Sequence, residues 1–241
     1  KESLSITMRS LNDIDQVISL TKVVNQAIKT NNIDKNILKL EKDKVVRRIR
    51  ESKKSPGTVL DSSISKKIFE GTGLEHPIIG NEASIKKITS EMILKHRNKI
   101  FNLNDLEINL VGDINKKVAK KIISSISINL PNLEISEQND YNMNKIISHI
   151  EFDSKQSHLA FLIPAVTRTD PNYYDLLVAN YIFGGGGFGS WLMQEIRVKR
   201  GLSYSAYSYL GSYKNQGYIR IGLQTKNSNL ELTKKIISEQ I

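Results

Sequence analysis

No cysteine occurs anywhere in the 241 residues. That excludes disulfides, thiolate zinc sites and cysteine nucleophiles. It does not fix the compartment: an exported, periplasmic location is the expectation, and a cytoplasmic one stays open. Long apolar runs are missing as well. None approaches the ~18 residues that a bilayer span needs, so no membrane span is expected. There is no initiating Met and no signal-like apolar stretch near Lys1. The chain opens directly on KESLSITMRSLND, which reads as a strand running into a helix, as in a fragment or a processed product. Histidine is scarce, limited to His76, His96, His149 and His158. No two of them stand at i, i+4, so neither HExxH nor HxxEH is present. A GxSxG elbow is also absent, and no carboxylate pair has a spacing suited to acid–base work.

What is present argues for a folded chain. Hydrophobic residues make up 39%, enough for a packed core and too many for wholesale disorder. Net charge is +10 and uneven: residues 1–131 carry +9 and residues 132–241 carry +1. The densest run, Lys39 to Lys54, holds eight basic and three acidic residues. Such a run is either a patch for a polyanion or the solvated face of a helix. No aromatic residue interleaves with it, and no nucleic-acid partner is expected.

Periodicity places a short strand at Ser3–Arg9 and a helix at Leu11–Ala27. Asp34 caps a longer helix, in a stretch that Pro56 ends. Further helices fall at Ser62–Phe69 and within Ser84–Ile100, separated by a loop at Gly71–Gly80. A strand at Leu106–Val111 leads to a helix capped by Asn115. Polar, aperiodic residues follow, and 132–146 reads as a linker between a domain at 1–131 and a second at 147–241. In the second, strands are expected at Ile147–Phe152 and His158–Val166, then a helix at Pro171–Phe183. After a glycine loop come a helix at Ser190–Lys199 and two strands, Ser203–Tyr213 and Gly217–Gln224, joined by a turn at Lys214–Gln216. Leu230 begins a last helix. This order predicts an α+β protein of two similar domains, each an antiparallel-rich sheet covered by helices.

Two features of the second domain carry possible chemistry. Gly184, Gly185, Gly186 and Gly187 cannot continue a helix, since each glycine costs ~1 kcal/mol there. With Gly189 they fit GxGxxG by spacing, but a dinucleotide site needs a preceding strand and an acidic residue about 20 positions later, and neither is found. A hinge or a place of close backbone approach remains. Downstream, Arg197 offers a fixed fork of donors and Tyr204 a hydroxyl on a rigid ring. Such a pair can hold a peptide carbonyl or a developing oxyanion. By spacing alone, a surface arginine and a sheet-packing tyrosine explain them better.

The run Arg168 to Ser208, RTDPNYYDLLVANYIFGGGGFGSWLMQEIRVKRGLSYSAYS, resembles the second domain of insulinase-type (pitrilysin-type) zinc peptidases, a family that includes the mitochondrial processing peptidase and bacterial relatives. The family pattern is a helix, a glycine-rich loop and a second helix whose Arg stands seven residues before a Tyr. Here those are Gly184–Gly187, Arg197 and Tyr204. Trp191 departs from the Arg that relatives often carry, with an expected effect on packing. In the first half, HPIIGNEASIKKIT and LEINLVGDIN resemble segments of the family's first domain, so the resemblance covers nearly the whole chain and implies that both domains are truncated. It also implies that the family's zinc-ligand Glu position falls on Arg48. Arginine has no free lone pair and stays protonated, so it cannot bind zinc.

The resemblance therefore implies the zinc-less subunit of a heterodimeric peptidase. Such a subunit binds no cofactor itself, faces a zinc-bearing partner of the same family, and lends Arg197 and Tyr204 to the peptide substrate. In isolation it could pair with itself. The alternative is a structural, non-proteolytic protein of the same fold, like some respiratory-complex core subunits.

Overall fold

The computed structural model describes residues 5–11, 13–101, 106–126, 130, 143, 146–213 and 216–241. Six helices come first: α1 (Ile14–Lys29), α2 (Lys35–Ser52), α3 (Pro56–Ile68), α4 (Glu82–Lys87), α5 (Ser90–Ile100) and α6 (Lys116–Ile126). Strand β1 (Gln156–Ala165) and helix α7 (Tyr173–Asn180) follow, then β2 (Ala206–Ser212), β3 (Gly217–Lys226) and α8 (Leu230–Ser238). The α+β class expected from the sequence is what the chain adopts, with an antiparallel sheet.

The helix boundaries have local causes. Asp13 accepts from the Asp15 and Gln16 amides and starts α1. Asp34 does the same for Asn36 and Ile37 at α2. These side chains satisfy amides that the first turn leaves without partners. Pro56 proves to be a start rather than a stop. It opens α3, with Ser55 as the cap, because proline's missing N–H costs nothing in a first turn.

Two compact units result. The first combines Lys1–Val46 with Asn81–Glu137 and the second combines Arg47–Gly80 with Gln138–Ile241. This differs from the expected division at 131 and 147, since residues 47–80 group with the C-terminal part. The cause is side-chain chemistry on α3. Asp61 pairs with Arg220 of β3, and Phe69, just past the helix, packs its ring 5.9 Å from that of Tyr218. Most of the expected linker lies outside the described residues.

In the first unit α1 packs on α6. Buried Thr21 meets the Ser125 hydroxyl at 3.1 Å, and Ile122 is buried beside them. Lys42 of α2 donates to the carbonyls of Lys86 and Ile88 at 2.7 and 2.8 Å, satisfying the end of α4. Among the described residues this unit has no strand. Residues 5–9 and Leu106–Val111, expected as strands, are unpaired, and Val111 is fully exposed. Alternating apolar residues give a sheet-like face, but a ladder also requires a neighbouring strand. Ile147–Phe152 in the second unit likewise has no strand neighbour among the described residues.

The second unit is built on a sheet of order β1-β3-β2, antiparallel throughout. Side chains alternate across it. One face carries Leu159, Phe161, Ala206, Ile221 and Leu223. It packs on Leu192, Ile196 and Ile237 to form the core. The other face carries Tyr207, Tyr218 and Arg220, toward α3. Arg220 donates to the Tyr207 hydroxyl at 3.1 Å and keeps its proton more firmly than a free arginine, since that hydroxyl and Asp61 outweigh the cost of burial. Ile221 is completely buried at the centre of the inner face. Ile221→Ala is expected to lower stability by roughly 2–5 kcal/mol, read as a fall in urea midpoint with unchanged slope.

Candidate functional site

The site begins at the end of α7. Asn180 is buried, and its side-chain oxygen accepts from the Ser208 hydroxyl of β2 at 2.8 Å. The chain then widens into a π-helical turn, Tyr181–Gly185, closed by the Gly186 amide on the Tyr181 carbonyl at 2.8 Å. Gly184 lies directly against β2. A Cβ there would stand 2.6 Å from the Ser208 nitrogen and 2.5 Å from Leu192 Cδ1. No side chain fits that gap.

Gly187 has φ +65°, a left-handed conformation that favours glycine. Its carbonyl accepts from both the amide and the hydroxyl of Ser190, at 3.0 and 2.7 Å. The Phe188 carbonyl accepts from Gln194 Nε2 at 2.8 Å. Trp191 stacks on Phe183, with centroids 5.6 Å apart and planes 7° from parallel. The residue that departs from the relatives' pattern is thus a packing residue.

A second π-helical turn, Met193–Val198, bears Arg197. The helix ends where Gly201, with φ +61°, donates its amide to the Arg197 carbonyl at 3.0 Å. Tyr204 follows before β2. The Arg197 guanidinium carbon lies 4.4 Å from the centre of the Tyr204 ring and 4.8 Å from that of Phe188. Both rings are largely exposed, at 75% and 66%. The structure therefore brings together the arginine and tyrosine singled out in the sequence, and adds a phenylalanine that sequence reasoning missed. Helical periodicity could not find Phe188, because it reaches Arg197 across a turn.

Charge in the neighbourhood is sorted sharply. Glu195 takes both Lys199 and Arg200 as partners. Hydrogen bonds from Lys199, then Arg200, hold its carboxyl below the usual carboxylate range. Among the described residues no carboxylate pairs with Arg197. Arg48 lies exposed on α2. The described residues hold no group of three or more His, Asp or Glu side chains able to bind a metal. The four histidines are scattered, His76 meeting only Glu75, at 3.4 Å. Among the described residues no donor set fits zinc.

The antiparallel sheet, the glycine-pinned helix end and the aromatic-backed arginine belong to one α+β unit. The family profile described as the peptidase M16 inactive domain matches residues 87–241, and the chain belongs to that family. It is similar to the crystal structure of a peptidase M16 inactive domain from Pseudomonas fluorescens. The TM-score is 0.88 and the identity 28%, over 95% of this chain and 57% of the other. It is 27% identical to the non-peptidase homolog YmxG of Helicobacter pylori, over all of this chain and 56% of that one. It is 25% identical to the uncharacterized zinc protease YmxG of Bacillus subtilis, over 86% of this chain and 51% of that one. The chain spans about half the length of these relatives.

The sign of the Glu195 effect follows from its depressed pKa. Its contribution to stability is fully present above the ordinary value of 4.5 and is lost as pH falls through the lower folded-state value. Glu195→Gln is expected to separate from the parent in urea midpoint at neutral pH and to converge with it under acid, measured by denaturation across pH 2–7 on the order of one-unit steps.

Proposed function

We propose that this chain is the zinc-less half of a two-subunit peptidase and lends Arg197 and Tyr204 to peptide bound at a zinc-bearing partner of the same family. The observation that carries this is the guanidinium of Arg197, held over the exposed Tyr204 ring and without a carboxylate partner among the described residues. Arg197 would donate its fork of N–H groups to a peptide carbonyl, and the Tyr204 hydroxyl would add a second donor. Donors fixed in advance stabilise charge as it develops on that oxygen, without reorganising during the reaction.

Among the described residues no group of His, Asp or Glu side chains is built to hold a metal, and in this reading the zinc is supplied by the partner. A name among its relatives, non-peptidase homolog, agrees with that division. An exposed apolar strip on α7 and its π turn, Tyr174, Val178, Tyr181 and Ile182, supplies surface for such a partner. The same strip would serve for self-pairing in isolation.

The test is peptide hydrolysis by the full-length protein alone, by its zinc-bearing family member alone, and by the two mixed. Chelator-sensitive turnover is expected only in the mixture. Zinc-dependent hydrolysis by this chain alone overturns the proposal, and so does full activity of the partner without it. A mixture no more active than the partner alone would favour the structural role instead.

A further inference from the structure

The two rings on Arg197 do not have the same origin. Tyr204 stands seven residues downstream of the arginine, at the end of the same helix–turn–strand unit. Phe188 arrives from the other side, on the 3₁₀ turn Gly187–Gly189. Its ring is 66% exposed and contributes little to the core. Yet its backbone is held with unusual care for an exposed residue. The left-handed Gly187 turns the chain toward the helix. Ser190, almost fully buried, fastens the Gly187 carbonyl through amide and hydroxyl. Gln194, one turn before Arg197, fastens the Phe188 carbonyl. All three devices tie the phenylalanine to the helix that bears the arginine.

A free arginine side chain samples many rotamers, and fixing it costs entropy on every binding event. A cation over an aromatic face is attracted to the ring quadrupole, and arginine also stacks on it through its planar guanidinium. A guanidinium lying flat on a ring leaves its fork of N–H groups pointing edgewise, where a carbonyl or carboxylate can be met in plane.

We propose that Phe188 is a positioning residue for Arg197, and that the glycine-rich turn serves to deliver its ring rather than to hinge. This rests on the functional reading of Arg197 given above, but its first test does not. In the full-length protein, the side-chain protons of Arg197 are expected to resonate upfield because of the adjacent rings. Phe188→Leu should remove part of that shift, Phe188→Tyr should keep it, and Gln194→Ala, which only frees the Phe188 carbonyl, should weaken it. With the zinc-bearing partner and a fluorogenic casein-derived peptide, Phe188→Leu should lower kcat by about 10- to 100-fold, as loss of alignment does. KM should stay nearly unchanged, since the interaction matters in the transition state. Phe188→Tyr should restore kcat.

An unchanged Arg197 resonance in Phe188→Leu overturns the proposal. So does a lost shift with undiminished kcat. If the partner turns over equally without this chain, the functional reading falls, and the resonance shift alone still confirms or overturns the contact.

Discussion

Everything near the candidate site depends on the gap between Gly184 and Ser208. A glycine backbone lies where a Cβ would be 2.6 Å from a strand nitrogen, and the adjacent Asn180–Ser208 hydrogen bond is buried. This contact fixes the end of α7 onto β2. The loop that follows must then leave along one path, through the left-handed Gly187, toward the helix of Arg197. Tyr204 leads into β2, the same strand that Gly184 touches. One close approach thus sets both rings that meet the arginine. Larger residues at 184 would move the loop and the strand together.

Electrostatics around the site follows a similar economy. The helix and the turn after it carry three cations, Arg197, Lys199 and Arg200, and one anion, Glu195. The carboxylate is spent on the outer two, and aromatic faces rather than charge hold the third. An arginine held by rings keeps its charge available to a ligand, whereas one held by a carboxylate has given most of it away.

The sequence was legible where local chemistry decides structure. Asp34 and Asn115 each accept an amide hydrogen bond at the start of the helix that follows. The paired strands expected at Ser203–Tyr213 and Gly217–Gln224 appear as β2 and β3, and the inner face they share is the core. It was illegible where structure depends on distant partners. Leu106–Val111 has a strand's alternation but no neighbour among the described residues. Asp61 and Phe69 look like ordinary residues of a helix and its end, and only Arg220 and Tyr218, about 150 positions away, draw that helix to the sheet. At the site, spacing indicated Arg197 and Tyr204 through family resemblance, while Phe188 required the path of a turn that no periodicity encodes.

In our proposal, a domain whose described residues hold no metal cluster keeps an arginine ready for a substrate bound elsewhere. The most direct measurement is turnover of the reconstituted pair with Arg197→Ala. A loss of about 100-fold or more in kcat/KM is predicted, the scale on which removing one preorganised donor acts. Arg197→Lys should recover little of it, because an ammonium lacks the planar fork that stacks on the rings. Turnover of Arg197→Ala equal to that of the parent pair would contradict the claim and leave this fold with a structural role.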